Sequence, residues 1–135
     1  DFDGDGRADF ASYSINGWFL SQSNINYASV TFVRFGTSGD RPVPGDYDGD
    51  ARDDFAVFRP SDRTWYIRRS SGGVSYAEFG IPTDEPVPAD YDGDGRTDVA
   101  VFRNGDWYVD RSAGGFLTMH FGLAGDVPVQ KAYLP

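Results

Sequence analysis

Asp46-Tyr47-Asp48-Gly49-Asp50-Ala51-Arg52-Asp53-Asp54 is one of three near-copies of a single acidic loop. The others read Asp1-Phe2-Asp3-Gly4-Asp5-Gly6-Arg7-Ala8-Asp9 and Asp90-Tyr91-Asp92-Gly93-Asp94-Gly95-Arg96-Thr97-Asp98. Successive copies begin 45 and then 44 residues apart, so the chain is built from a repeated unit. Its boundaries are residues 1–45, 46–89 and 90–135 of a single repeat domain.

Carboxylates at loop positions 1, 3, 5 and 9 form an all-oxygen cage, the donor set a hard cation such as calcium takes. Four Asp within nine residues repel one another unless a cation neutralises them. The expected ligands are Asp1, Asp3, Asp5 and Asp9, then Asp46, Asp48, Asp50 and Asp54, then Asp90, Asp92, Asp94 and Asp98. At position 7, Arg7, Arg52 and Arg96 are expected to offer backbone carbonyls, with their side chains pointing outward. Up to three Ca2+ follow, one per loop. An EF-hand would carry Glu at position 12, where this chain has Ser12, Val57 and Val101. Magnesium, which holds a strict octahedron and keeps its waters, suits the loop less well. Ala51 stands where the other copies have Gly6 and Gly95, at a position expected to need φ > 0, which makes the second site the weakest intact one. Asp1 opens the chain, which exposes the first site to fraying.

The formal net charge is −9, and twelve of the 21 acidic residues are those loop aspartates. Without them the chain would carry +3. The acidity is therefore a metal-binding acidity, and no basic footprint points to nucleic acid. No apolar run approaches the length of a membrane helix, so membrane insertion is not expected. With no cysteine, disulfides are excluded and the redox compartment stays undetermined. Weak calcium loops, with Kd of about 10⁻⁴ to 10⁻³ M, fill where calcium is plentiful, which favours a secreted or cell-surface protein. The opening on Asp1 inside a motif suggests a processed or trimmed piece of something larger.

Each loop is followed by the same landmarks. A short apolar run comes first: Phe10-Ala11-Ser12-Tyr13, Phe55-Ala56-Val57-Phe58 and Val99-Ala100-Val101-Phe102. Aromatic strands begin at Trp18, Trp65 and Trp107, and the next strand ends at Phe35-Gly36, Phe79-Gly80 and Phe121-Gly122. A proline-bracketed strand closes the unit at Pro42-Val43-Pro44, Pro86-Val87-Pro88 and Val127-Pro128-Val129. Strand lengths, β-branched and aromatic enrichment and the absence of a 3.6-residue period predict an all-β fold with almost no helix. Ser71-Gly72-Gly73 and Ala113-Gly114-Gly115 read as hairpin turns. Four short strands per unit of about 44 residues are the signature of propeller blades, and a three-repeat β-trefoil fits the same arithmetic.

In its acidic loops, Phe-Gly pairs and the Pro-Val-Pro-x-Asp-Tyr-Asp-Gly-Asp run, the chain resembles the FG-GAP/VCBS repeat family over essentially its whole length. The resemblance implies calcium-binding β-propeller blades with the metal loop between strands, and an extracellular or cell-surface role. It does not imply one ligand. The sequence departs from the pattern in four places. Trp18 and Phe35 are seventeen residues apart against fourteen in the other repeats, and repeat 2 carries a two-residue insertion around Ser61-Asp62-Arg63. Ala51 replaces a glycine, and Ala132-Tyr133-Leu134-Pro135 stands where a fourth loop would begin. Because no proline strand precedes Asp1, Val127-Pro128-Val129 is a candidate clasp for the first blade. Three blades are too few for a ring, so either two chains form a homodimeric six-bladed ring or the chain belongs to a longer propeller.

The Trp-aromatic pairs, identically placed in each repeat, are expected in the core rather than as sugar platforms. Residues that break the repeat (Asn24, Asn26 and Tyr27 in the long hairpin, Asp62 and Arg63 in the insertion) are the candidates for display. His120 is the only histidine and is expected on an exposed strand. With no cysteine, and glutamate only at Glu78 and Glu85, nucleophile–base constellations are nearly absent, so no enzyme is expected. The functional expectation is a calcium-stabilised module for adhesion or recognition, or an ancillary domain of a secreted protein, whose partner is an extracellular protein or glycan. A carbohydrate-binding lectin is the first alternative and a fragment of a polysaccharide-processing enzyme the second.

Overall fold

The computed structural model describes residues 1–15 and 17–129 and is all-β. Its strands are β1 (Phe10–Ser14), β2 (Gly17–Ser21), β3 (Thr31–Arg34), β4 (Arg41–Pro42), β5 (Phe55–Arg59), β6 (Thr64–Arg68), β7 (Val74–Glu78), β8 (Glu85–Pro86), β9 (Val99–Arg103), β10 (Asp106–Arg111) and β11 (Gly115–His120). They form three separate antiparallel sheets: β1-β2-β3, β4-β5-β6-β7 and β8-β9-β10-β11. Separate meandering sheets, one per repeat, are what propeller blades require and what a trefoil's shared barrel would not give. The helical content among the described residues is one 3-10 turn, Ser23–Ile25. Both glycine-bearing hairpin turns fall where expected, between β6 and β7 and between β10 and β11.

Each four-stranded sheet starts with the proline-bracketed strand of the preceding repeat. Arg41 pairs with Phe58 and Pro42 with Val57, as Glu85 pairs with Phe102 and Pro86 with Val101. Proline, which has no N–H to donate, is tolerated there because these strands are short sheet edges. Among the described residues the first sheet has no such strand and counts three strands rather than four. The clasp expected from Val127-Pro128-Val129 does not form among the described residues. The segment belongs to no strand, and Val127 and Val129 are exposed. The residues expected to end the last repeat, Ala132 to Pro135, lie outside the described ones.

Blade-to-blade packing explains why the middle strands are continuously apolar. Ala56 and Phe58 of β5 face Ile67 and Trp65 of β6 in register, and Val99 and Val101 of β9 join the same core cluster. The opposite face of β9, Ala100 and Phe102, packs with Val87 and Val109. A strand covered on both faces carries no polar alternation. Trp65 and Trp18 are buried, and Trp107 packs against the second cluster, so the tryptophans are core, as their repetition implies.

The seventeen-residue spacing of repeat 1 has a cost that shows in one atom. The Trp65 indole N–H donates to the Phe79 carbonyl at 3.2 Å and that of Trp107 to the Phe121 carbonyl at 2.8 Å. In the longer hairpin the buried Trp18 Nε1 finds no partner. A buried donor left unpaired loses on the order of 1–3 kcal/mol.

Each four-stranded blade is locked by a carboxylate fork that the sequence reading passed over. Arg59 Nε and Nη2 donate to the two oxygens of Asp40 at 2.8 and 3.0 Å, and Arg103 does the same to Asp84 at 2.6 and 2.8 Å. Both aspartates also accept a backbone N–H, from Thr37 and Ile81. Bidentate pairing is the strongest form of this contact, and here it ties the entry of the proline strand to the end of its neighbour. Asp84→Ala should lower unfolding free energy by about 2–4 kcal/mol, since it strips partners from both Arg103 and the Ile81 amide. Urea denaturation checks this, and a change below about 0.5 kcal/mol would contradict the role assigned to the fork.

Candidate metal centres

In all three loops one carboxylate oxygen from each of positions 1, 3 and 5 lies within 4.8 Å of the other two. The clusters are Asp1, Asp3 and Asp5; Asp46, Asp48 and Asp50; and Asp90, Asp92 and Asp94. The loop backbone holds them there. Asp46 Oδ1 accepts the amides of Gly49 and Asp50 at 2.6 and 3.1 Å, and Oδ2 accepts that of Ala51 at 2.8 Å. Asp1 and Asp90 collect the equivalent three amides in their own loops. Turning so many N–H groups toward one carboxylate requires left-handed backbone at positions 4 and 6. Gly49 has φ +81° and Ala51 has φ +66°, so Ala51 occupies the strained conformation expected of it.

Position 9 is placed differently from the other three. Asp54 is fully buried and its carboxylate lies outside the cluster of positions 1, 3 and 5. Its two oxygens accept the amides of Tyr47 and Ser70 at 2.9 and 2.7 Å. Asp98 accepts Tyr91 and Ser112 in the same way, and Asp9 accepts Phe2 and Ser23. This residue pins the start of the acidic loop to the hairpin that faces it. Burial pushes the Asp54 and Asp98 carboxyls up, against the lowering effect of their amide donors.

The facing hairpin supplies residues that the sequence reading missed. The hydroxyls of Ser23, Ser70 and Ser112 donate to Asp5, Asp50 and Asp94 at 2.8, 2.7 and 2.7 Å. Position 3 is engaged by the same turn, through the Asn24 amide on Asp3, the Ser71 hydroxyl on Asp48 and the Ala113 amide on Asp92. The serine hydroxyls hold the Asp5 and Asp94 carboxyls below the usual range. A signal was available: each serine lies five residues after the repeat's tryptophan. Two of the candidates for display also serve this loop. Asn24 touches Asp3, and the Tyr27 hydroxyl donates to the Ala8 carbonyl at 3.1 Å. Asp62 is local too, accepting the Thr64 amide and the Tyr66 hydroxyl, while Arg63 pairs with Glu78 at 2.9 Å.

The arginines at position 7 do more than point outward. Arg52 lies across Gly4 of the preceding loop, with Cγ 3.0 Å from where a Cβ on that glycine would sit, and Arg96 lies across Gly49 at 3.3 Å. The amides of Arg7, Arg52 and Arg96 donate to the position-5 carboxylate of their own loop.

The donor set fits a hard cation: the gathered atoms are carboxylate oxygens, with no nitrogen or sulfur among them. One atom is in keeping with that fit. Asp48 Oδ1 is buried and accepts no hydrogen bond, an arrangement that a folded protein rarely leaves uncompensated. Asp46, Asp48 and Asp50, with the Arg52 carbonyl, would hold such an ion in the middle loop, and the other two loops repeat the set.

Fold and site together define a repeat protein of β-blades, each headed by an acidic loop clamped onto its own hairpin. Residues 46–101 match the family model described as an FG-GAP-like repeat, so the chain carries an FG-GAP-like repeat from its second acidic loop into β9. No curated protein and no solved structure matches the chain.

Two substitutions separate scaffold from cage. In chelator, Asp98→Ala should lower unfolding free energy by about 2–4 kcal/mol because it orphans two amides, whereas Asp94→Ala should lower it by less than about 1 kcal/mol. Equal effects in denaturant titrations would contradict the division. Ala51→Gly should raise stability by about 1 kcal/mol by relieving the left-handed strain, and a loss on the same measurement would count against that strain.

Proposed function

We propose that this protein is a calcium-binding, calcium-stabilised β-propeller module of the extracellular space or cell surface. It serves adhesion or recognition, or acts as a rigid ancillary domain of a secreted protein. The observation that carries the reading is the threefold recurrence of one cage scaffold, from the amides on position 1 to the serine on position 5. Turn-forming Asp-Gly runs need none of that apparatus. The buried, unpartnered Asp48 Oδ1 supports it.

The ions are structural in this reading. Each would neutralise carboxylates that otherwise repel, and would fasten an acidic loop where one sheet passes to the next. Ion binding to the folded state alone adds stability by mass action, about 2.7 kcal/mol per loop at a hundredfold excess over Kd. His120 on the edge strand β11 faces Asp106 on β10 at 2.7 Å, a surface pair that gives no support to catalysis. The lectin alternative has one observation in its favour. Tyr76, Phe32 and Phe116 on the outer strands are exposed, whereas the tryptophans first considered as platforms are core. Binding on a glycan array that disappears in Tyr76→Ala would support that alternative, and silence across the array would remove it.

Transfer from millimolar calcium to excess chelator should lower Tm by more than about 10 °C, an expectation summed over three loops. An unchanged melt would defeat calcium stabilisation. Asp94→Ala should lose one bound ion while Asp53→Ala keeps all of them, since only Asp94 belongs to a cluster. Equal losses by native mass spectrometry would contradict the loop register.

A further inference from the structure

We infer that the three acidic loops fill cooperatively, each coupled to the next through a single peptide group. The inference rests on the calcium reading above and concerns how the loops communicate.

The Thr97 amide, at position 8 of the third loop, donates to the Asp46 carbonyl at position 1 of the second loop, at 2.6 Å. The Asp53 amide of the second loop donates to the Asp1 carbonyl of the first at 2.8 Å. Each of these amides shares its peptide with the carbonyl of the preceding residue, Arg96 or Arg52. Those carbonyls stand at position 7, the backbone ligand expected of their own loop.

No described peptide is cis, so the N–H and C=O of each linking peptide point in opposite directions within one rigid plane. The amide end reaches the neighbouring loop through its first aspartate, and the carbonyl end is the backbone ligand expected of its own loop. A cation drawing on the Arg96 carbonyl would polarise that peptide and fix its plane. The Thr97 N–H becomes a stronger and better aimed donor to Asp46. Asp46 is the residue whose carboxylate already gathers three amides of the second loop. Ordering its backbone therefore presets the second cage, and by reciprocity a filled second cage favours the third.

Side chains reinforce the same neighbour contacts. Arg96 lies across Gly49 and Arg52 across Gly4, so the sharp turn of each preceding loop is packed by the residue that heads the linking peptide. Thr97 also sits so close to Gly45 that a Cβ there would meet its Oγ1 at 2.7 Å. A loop that loosens when empty would disturb its neighbour through all of these contacts.

Native mass spectrometry of the unmodified chain during a calcium titration tests this without any substitution. At an average of half occupancy, independent loops, equal or unequal, leave no more than about a quarter of chains either empty or full. A fivefold coupling at each junction, the lower end of common allosteric couplings, raises that share to about half. A second reading comes from Asp94→Asn, which disables the third loop and should weaken the second by about fivefold. Ions bound with statistical populations, and a second loop indifferent to Asp94→Asn, would overturn the coupling while leaving the calcium reading intact. A chain that binds no calcium would overturn both.

Discussion

Three carboxylates gathered within 4.8 Å are the constraint around which each blade is arranged. At that separation a pair of like charges repels by about 1 kcal/mol in water and by about 3 kcal/mol at an effective dielectric of 20. The loop meets this with backbone amides aimed at position 1, a serine hydroxyl at position 5 and a further hairpin donor at position 3. These donors fix where the carboxylates stand and leave a net negative charge in place. In the proposed calcium reading a divalent cation would match that charge, and the acidic loop at the head of each blade would become a fastening point.

From that constraint the rest of the fold can be followed outward. The position-9 aspartate ties the loop's first turn to the hairpin, so loop and blade are positioned together. Proline strands enter each four-stranded sheet at its edge, and the Arg59–Asp40 and Arg103–Asp84 forks hold those entries. Between sheets, apolar faces of β5, β6 and β9 exclude water, and the loops meet through the Thr97 and Asp53 amides. The hydrophobic stack and the chain of loops thus run across the same blade boundaries. Burial supplies most of the stability there, and in the proposed reading the loops would add a dependence on ions.

Much of this was legible in the sequence because repetition turns single residues into columns. The Trp18, Trp65 and Trp107 column read as core, and the structure packs all three against core neighbours. The Ala51 departure read as strain and has φ +66°. The longer hairpin of repeat 1 was visible too, although its consequence, an unpaired Trp18 indole, depended on where the Phe35 carbonyl would fall. Less legible were contacts made by residues that look like ordinary turn formers. Ser70 and Ser112 begin hairpin turns, and only their constant offset from tryptophan marks them as carboxylate donors. Asp40 and Asp84 follow the Phe-Gly pairs at a constant five residues, yet their Arg partners lie nineteen residues on, across a blade. The position-9 carboxylate was read from its spacing as a cage wall, and the two backbone amides it accepts were not legible there. The missing strand of the first sheet likewise depended on a pairing that Val127-Pro128-Val129 does not make.

Isothermal titration of the metal-stripped chain with calcium tests the central claim most directly. Two to three ions bound per chain, with heat that disappears when the position-5 aspartates are neutralised, is the result this account predicts. A flat titration from a folded chain would contradict it, because the clusters would then be held by their hydrogen-bond donors alone.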